Sequence, residues 1–310
     1  MKKKKKKKKN IKKVPKKQVH KKKKKNSKKK KNVKKQVRTI EVIKEEPHKL
    51  RTLIVYLLIT ISFIMFIYSF LNIGAWYIDC ISSNKLMNDI TDLVNVDGEI
   101  LKSEEEYKKE NNRSDYFEYI KTNFIDVDLN KLKSINEDTA GWILVPNTNV
   151  NYPFVKYTDN SYYLNHSFDK KKNSAGWLFM DYRNTLDLNN RNLIIYGHNR
   201  KDKSMFGTLK KLLSNNWFNN ESNSIIKLKM DSGSSNWQIF SVYIIETTSD
   251  YIRTDFTDET DYQEFLNLIK NRSQVSLDTE VTVNDKILTL STCHGSNKKL
   301  VVHAKLINNN

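Results

Sequence analysis

The sequence predicts a mainly β domain that follows a membrane-spanning helix and a short helical region. From Ala140 onward, short apolar runs alternate with Asn, Asp, Ser and Gly, which is typical of many short strands and favours a closed barrel or a sandwich. Between residues 81 and 124 the apolar residues instead have helical spacing. Further towards the N-terminus, one uncharged apolar run is long enough to cross a bilayer.

The first region is a lysine-rich tail at residues 1–51. The whole chain of 310 residues has a net charge of +20, but the tail alone holds 27 Lys and Arg against 3 Glu. A segment that repels itself and has little to bury is predicted to be disordered. It either serves only to set membrane topology or also binds anionic lipid. No aromatic or folded basic platform accompanies the lysines, so nucleic acid is not an expected partner.

The second region is a predicted membrane anchor at residues 53–73. These 21 residues are apolar and uncharged, and at about 1.5 Å per helical residue they span roughly 30 Å. The run is longer than a signal-peptide core and is followed by no clear cleavage site. Because the basic flank is N-terminal, the tail is predicted to be cytoplasmic and the chain after about residue 80 extracellular. The sequence therefore predicts a single-pass plasma-membrane protein.

The rest of the chain divides into an extracytoplasmic helical segment at residues 80–125 and a β domain at 126–310. Two helices are predicted in the helical segment, with a weak stretch around residues 97–98 between them. Two more helices are predicted within the β domain, at 205–213 and 261–270. The predicted strands are 141–145, 150–155, 176–180, 192–196, 224–230, 237–247, 281–283, 287–292 and 300–307.

The two cysteines, Cys80 and Cys293, are too few for a disulfide framework. Cys293 ends an alternating apolar run and is followed at once by the polar His294 and Gly295. A thiol at the exit of a strand is accessible, whereas a structural cysteine more often lies mid-strand on the apolar face. Cys293 is therefore a candidate nucleophile, and it needs a partner that favours its thiolate.

Among the four histidines after the anchor, His198 is the best candidate for that partner. It follows an apolar run and a glycine, so it too lies at a strand exit. His303 lies inside the last strand, His166 is in a turn-like segment, and His294 would point away from Cys293 if the strand continued. We expect the His198 imidazole and the Cys293 thiol to meet at one end of the domain.

Five short segments resemble those of a known family. The sequence TLSTC at residues 289–293 resembles the T-L-x-T-C signature of sortases. The segment around His198, YGHN followed by KDKSMF at 196–206, is similar to that of the class B branch. Three further segments are similar to class B sortases: NYPFV at 151–155, FMDYRN at 179–184 and YIRTDF at 251–256. All five segments occur in collinear order between about residues 114 and 307.

This resemblance implies an eight-stranded sortase-type β-barrel with N-terminal helices, and it implies a reaction. The Cys293 thiolate would attack a Thr–X amide in the C-terminal sorting signal of an exported protein and form a thioacyl enzyme. An amine of a cell-wall precursor or of a surface subunit would then resolve it. The His198 imidazolium would stabilise the thiolate and protonate the departing amine. No cofactor or metal is expected.

The resemblance also implies a substrate groove. The six residues at the positions that line this groove in class B sortases are Asn160, Leu164, Thr247, Tyr251, Ile252 and Ser291. For each of them, packing or turn structure is the alternative explanation.

One position departs from the family pattern. Sortases usually carry an arginine at the start of the last strand, and here Lys299 stands there. Lysine keeps the positive charge but lacks the planar fork of donors, so the cation that meets the oxyanion is Lys299 or, alternatively, Arg253. The connection from Cys293 to Lys299 is also short for class B.

Two other functions stay open at this point. The same barrel could carry a cysteine hydrolase or protease that releases its product to water, because a preference for an amine is not visible in a sequence. It could also be a catalytically inactive, membrane-tethered binding module, for which Lys299 is the one argument and the intact Cys293 and His198 are arguments against.

Overall fold

The computed structural model describes the backbone of residues 29–94, 98–294 and 297–307, and the side chains of 49–94, 102–292 and 297–307. The chain divides into two compact units, Met1–Phe70 and Leu71–Asn310. Five α-helices lie within the described residues: α1 (Lys29–Val94), α2 (Gly98–Glu110), α3 (Arg113–Thr122), α4 (Leu129–Ile135) and α5 (Glu259–Asn271).

Helix α1 contains the predicted anchor. Its part from Lys49 to Val94 is long and apolar enough to cross a membrane, and no side chain of its most apolar window is buried. The helix already begins at Lys29, whereas the sequence predicted disorder up to residue 51. Lys, Gln and Glu are good helix formers, and extending an existing helix avoids the cost of nucleating one. The remainder of the predicted tail, 1–28, lies outside the described residues.

The helical region before the barrel has more breaks than the sequence predicted. Helix α1 ends at Val94 and α2 begins at Gly98, near the predicted weak stretch. A second break follows α2, because Asn112 caps α3 by accepting a hydrogen bond from the backbone of its first turn. Asp128 caps α4 in the same way.

The strands of the described residues are β1 (Thr139–Leu144), β2 (Asn151–Lys156), β3 (Phe179–Met180), β4 (Asn192–Tyr196), β5 (Ile225–Met230), β6 (Gly233–Glu246), β7 (Ile287–His294) and β8 (Lys298–Leu306). These eight strands form a closed barrel in the order β1-β2-β3-β4-β7-β8-β6-β5, which confirms the predicted eight-stranded fold. Strand pairs β2/β3 and β4/β7 are parallel and the other pairs are antiparallel.

Of the nine predicted strands, one is absent from the structure and one is reduced to two residues. Residues 281–283 form no strand, because the Asp285 carboxylate accepts hydrogen bonds from the backbone and hydroxyl of Thr282 and makes a turn there. The strand predicted at 176–180 is reduced to its last two residues. Gly176 has a φ of +59°, which takes the chain out of the extended region just before β3.

The two helices predicted within the β domain have different outcomes. Helix α5 spans the predicted 261–270, whereas the helix predicted at 205–213 is only a short 3-10 turn at Leu209–Leu213. Met205 has a φ of 52°, a left-handed conformation that no α-helix accommodates.

The core fills the barrel, and a second apolar cluster lies outside it. Trp142 and Trp177 are fully buried in the main core. In the second cluster, Tyr262 and Phe265 of α5 pack with Phe240 of β6 and with Tyr251, which belongs to the connection between β6 and α5. Helix α5 thereby holds this connection in place beside the barrel mouth.

A buried ion pair joins α2 to the barrel. Lys227 of β5 and Glu104 of α2 are 2.9 Å apart, Nζ to Oε1, and both side chains are almost fully buried. The Lys227 ammonium also donates to the carbonyl oxygen of Ile120 at the end of α3. Burial lowers the pKa of Lys227, and the Glu104 carboxylate opposes that shift. Removing either partner would leave an uncompensated charge inside the protein.

Glu104→Gln should therefore lower the free energy of unfolding by roughly 3–5 kcal/mol, because the Lys227 charge stays buried without its counter-ion. Urea unfolding followed by circular dichroism measures this loss. The matched control is Glu118→Gln, which removes the exposed pair between Glu118 and Lys121 and should cost about 1 kcal/mol or less. Equal losses in the two variants would contradict a role of the buried pair.

Candidate active site

His198 lies just beyond the end of β4, and its surroundings require two glycines. A Cβ atom on Gly197 would lie 2.3 Å from a methyl carbon of Leu178 and 2.8 Å from the Phe206 ring. A Cβ atom on Gly176 would lie 2.9 Å from Cδ2 of His198 itself. Both glycines thus let the chain pass close to the imidazole and its supports, where a side chain would displace them.

One ring nitrogen of His198 has a defined partner. Its Nε2 is 2.7 Å from the backbone carbonyl oxygen of Leu164. A carbonyl oxygen only accepts hydrogen bonds, so Nε2 is the nitrogen that carries the proton in the neutral ring. Nδ1 is then the nitrogen that takes up and releases a proton, and the bond to Leu164 fixes the tautomer suited to that exchange.

The backbone brings Cys293 to the same edge of the barrel as His198. Strands β4 and β7 are parallel neighbours, with Tyr196 opposite Ser291. The backbone N–H of Gly197 donates to the Ser291 carbonyl oxygen at 3.2 Å, which extends the pairing by one residue. His198 and Cys293 each lie two residues beyond that pair, and adjacent strands run about 5 Å apart. The predicted contact between their side chains lies outside the described residues.

Lys299 is the residue of β8 that pairs with Cys293 of β7. Its side chain is partly exposed and lines the cavity beside His198. Arg253, the alternative cation, is bound elsewhere: its Nη1 donates to Asp261 at 2.8 Å and its guanidinium stacks on Phe256. Arg253 is not among the residues that line this cavity.

The cavity at this edge has a volume of about 330 Å³. All six predicted groove residues, His198 and Lys299 line it, so the structure brings together every predicted site residue whose side chain is described. Three segments supply most of the wall: the β2–β3 connection, the end of β4 and the β6–α5 connection. The lining residues are Asn160, Leu164, Phe179, Tyr196, Gly197, His198, Thr247, Thr248, Tyr251, Ile252, Ser291, Thr292 and Lys299.

Most polar groups of the predicted groove residues already have partners within the protein. The Asn160 amide donates to Asp181 at 3.1 Å and accepts from the backbone of Tyr182 at 3.0 Å. The hydroxyl groups of Tyr251 and Ser291 are 2.9 Å apart. These side chains shape the groove, while Leu164 offers it an exposed apolar surface.

The other described histidines are used in packing. His303 is fully buried between the Tyr243 hydroxyl and the Thr289 hydroxyl, each 2.9 Å from a ring nitrogen, and burial lowers its pKa to about 3. His166 stacks on the Tyr162 ring. The side chain of His294 lies outside the described residues, and its backbone pairs with Lys298.

The sequence reasoning missed a contact between α1 and the two segments that flank His198. The Asp79 carboxylate accepts from the Ser174 backbone at 2.9 Å, close to Gly176. The Arg200 guanidinium donates to Cys80 Sγ at 2.8 Å and to Asp202 at 3.0 Å.

A second cavity, of about 560 Å³, borders His198 on this side and has Ile73, Trp76 and Arg200 in its wall. Cys80 is buried and has a packing role, which its position beside an apolar run in the sequence did not indicate.

Within the described residues, no group of three His, Cys, Asp or Glu side chains is arranged to hold a metal ion. The chemistry available at this edge is that of an imidazole, an ammonium group and the thiol two residues beyond Ser291.

Comparison with known proteins shows the family of the chain. A family model described as the Sortase domain matches residues 143–307. Sortase B of Staphylococcus aureus is 41% identical over 180 residues, covering 57% of this chain and 73% of that protein. Sortase B of Listeria monocytogenes is 36% identical over 186 residues, covering 58% and 74%.

A solved complex of Staphylococcus aureus sortase B with a substrate superimposes with a TM-score of 0.55 at 40% identity, covering 58% of this chain and 85% of that one. The chain therefore belongs to the sortase family of cysteine transpeptidases, in its class B branch.

Proposed function

We propose that this chain cleaves a C-terminal sorting signal of exported proteins and transfers the new acyl end to an amine of a cell-wall precursor or a surface subunit. The observation that carries the proposal is the register of β4 with β7, Tyr196 opposite Ser291. It supports a working pair of His198 and Cys293 at one end of a groove that all the predicted binding residues line.

In the first step, the Cys293 thiolate attacks the carbonyl carbon of the scissile amide. As the tetrahedral intermediate collapses, the C–N bond breaks and the amine leaves with a proton from the His198 imidazolium. A thioester on Cys293 remains. The Lys299 ammonium, on the strand that pairs with Cys293, is the cation proposed to stabilise the oxyanion.

In the second step, an incoming amine attacks the thioester and passes a proton to the neutral His198. The new amide is released and the thiolate and imidazolium are restored, so the enzyme returns to its starting state. Water in place of the amine would give a free carboxylate, which is the hydrolase alternative. The protonated Nε2 held by Leu164 leaves Nδ1 as the proton carrier in both steps.

The proposed cellular setting follows from residues 53–73. An anchor there, with the basic tail in the cytoplasm, would hold the catalytic domain on the extracellular side, where exported proteins and wall precursors are found. An enzyme anchored in this way would also be kept near substrates that are themselves attached to the membrane.

Acyl transfer is tested with the purified full chain in detergent. The probes are overlapping peptides from the region before the C-terminal hydrophobic segment of exported proteins of the same organism, together with a panel of peptide amines. Mass spectrometry should find a thioester on Cys293 and an amide product that contains the added amine. A product with only a free carboxylate, at every amine concentration, would favour the hydrolase.

Cys293→Ala should remove all turnover, since alanine supplies no nucleophile, and His198→Ala should lower kcat/KM by roughly 100- to 10,000-fold. His166→Ala is the matched control and should stay near the wild-type rate, because the His166 ring stacks on Tyr162, bonds to that residue's carbonyl oxygen and does not line the cavity. Cys80→Ser should also stay near it, since serine can keep the hydrogen bond with Arg200. A severe loss in His294→Ala with a mild one in His198→Ala would show that the wrong histidine was assigned.

Lys299→Ala should lower kcat by roughly 100- to 1,000-fold, because an oxyanion donor in a partly dry site contributes about 3–4 kcal/mol. Lys299→Arg should keep or raise the rate, since the guanidinium can serve the same oxygen with two donors. Lys298→Ala, which removes an exposed ion pair with Glu246, is the control and should have a small effect. An unchanged kcat in Lys299→Ala would contradict the assignment.

Protease added to intact cells from which the wall has been removed should digest the domain that follows residue 80 and spare an epitope placed in the lysine-rich tail. The physical reason is the charge difference across residues 53–73. Immunoblots for the two ends measure the result, with a cytoplasmic protein as the control for lysis. Protection of the C-terminal domain would contradict an extracellular site.

A further inference from the structure

A buried carboxylate lies beneath the groove and has no place in the mechanism above. Asp181 follows β3 directly and is fully buried. Its Oδ2 accepts from the Tyr196 hydroxyl at 2.8 Å, from the Asn160 amide at 3.1 Å and from Nη2 of Arg183 at 2.7 Å. Its Oδ1 accepts from Nε of Arg183 at 2.8 Å. Hydrogen bonds from side chains thus occupy both oxygens.

These donors belong to separate segments of the groove wall. Asn160 lies in the β2–β3 connection, four residues before Leu164. Tyr196 ends β4, two residues before His198. Arg183 reaches the third segment, because its Nη2 also donates to the backbone carbonyl oxygen of Ile252 at 2.9 Å. One carboxylate therefore joins the three segments that line most of the cavity.

The burial of the Asp181 ion pair does not by itself indicate that the pair stabilises the barrel. Replacing a buried ion pair by apolar residues of similar volume is often neutral or stabilising, so a buried pair is weak evidence of stabilisation. What a multiply bonded carboxylate adds is geometry, since each of its partners is held at hydrogen-bond distance from the same two atoms. At Asp181 the groups that are held in this way are parts of the groove.

We propose that Asp181 is a positioning residue for the sorting peptide. Without touching the peptide, it sets the spacing between the Asn160–Leu164 segment, the end of β4 and the Ile252 segment, and so determines which peptides fit. The inference rests on the proposed function, because it assumes that a peptide occupies this groove.

Asp181→Asn is the main test. Asparagine has the same shape but offers one acceptor oxygen, so its own NH₂ group must face donors that the carboxylate accepted. We expect kcat/KM for the best peptide to fall at least tenfold, mainly through KM. In a Cys80→Ser background, the rate at which iodoacetamide alkylates Cys293 should stay within twofold of the parent at each pH, because the donors that Asp181 binds are Asn160, Arg183 and Tyr196 and do not include His198.

The matched control is Glu104→Gln, which also neutralises a buried carboxylate of an ion pair, far along the chain from the groove residues. It should lose stability without raising KM. An equal rise of KM in both variants would show that general loosening of the domain is the cause. If kcat/KM and the alkylation rate of Cys293 fall together in Asp181→Asn, the effect lies on the pair of His198 and Cys293 instead. Either result overturns the proposal.

Two milder variants keep the test valid if Asp181→Asn does not fold. Tyr196→Phe removes one donor to Asp181, and Arg183→Met removes the link to Ile252 while keeping a long side chain. Each should raise KM at least threefold. In the Asp181→Asn/Arg183→Met double variant, the fold increase in KM should be smaller than the product of the two single increases, because both substitutions break the same connection. Wild-type KM in both milder variants would overturn the proposal.

Peptide affinity separates this proposal from the proposed function. Fluorescence anisotropy with the inactive Cys293→Ala protein measures binding without turnover. A tenfold higher Kd for the peptide after Asp181→Asn is added supports the positioning role. Equal Kd values would refute that role and leave the transpeptidase intact. If none of the peptides binds Cys293→Ala or reacts with the wild type, the proposed function itself fails.

Discussion

The parallel pairing of β4 with β7 is the constraint on which the rest of the site depends. Parallel neighbours end at the same edge of a sheet, so a histidine that follows one strand and a cysteine near the end of the other reach the same edge although they are 95 positions apart along the chain. The register is enforced on both sides, because β3 pairs with β4 and β8 pairs with β7. A shift of one residue in this ladder would also move the Tyr251–Ser291 contact. The closed barrel, which has no free edge, suppresses such a shift.

Much of the fold could be predicted because its signals are local. The apolar run of β4 and the turn residues after it predicted a strand with the bounds that the structure has, Asn192–Tyr196. Predictions failed where one residue overrides the pattern around it: Asp285 turns the β-branched stretch at 281–283, and the left-handed Met205 prevents a helix. The groove residues came from the family resemblance. Asp181 was not singled out, because its partners Asn160 and Tyr196 become neighbours only after the barrel closes.

The groove is largely formed before any substrate arrives. Its wall is held by hydrogen bonds among its own residues and, through Tyr251, by the apolar cluster of α5. Polar groups that already have partners can offer a ligand little beyond their remaining lone pairs, so a peptide in this groove would be selected mainly by its shape and by apolar contact. A wall of this kind loses little conformational entropy when a peptide binds, and the strength of binding then reflects the fit of the peptide.

The contact between α1 and the segments around His198 has a consequence for shortened forms of the protein. Asp79 and Cys80 lie only a few residues beyond the apolar run, yet they hold Ser174 and Arg200 in place, and Ile73 and Trp76 form part of the wall of the second cavity beside the imidazole. A fragment that begins at Ser83 would keep the whole barrel, His198 and Cys293. It would also give the histidine a solvent-filled flank and leave the Arg200–Asp202 pair exposed to water. Rates measured on such a fragment would describe an enzyme whose histidine has different surroundings from those in the full chain.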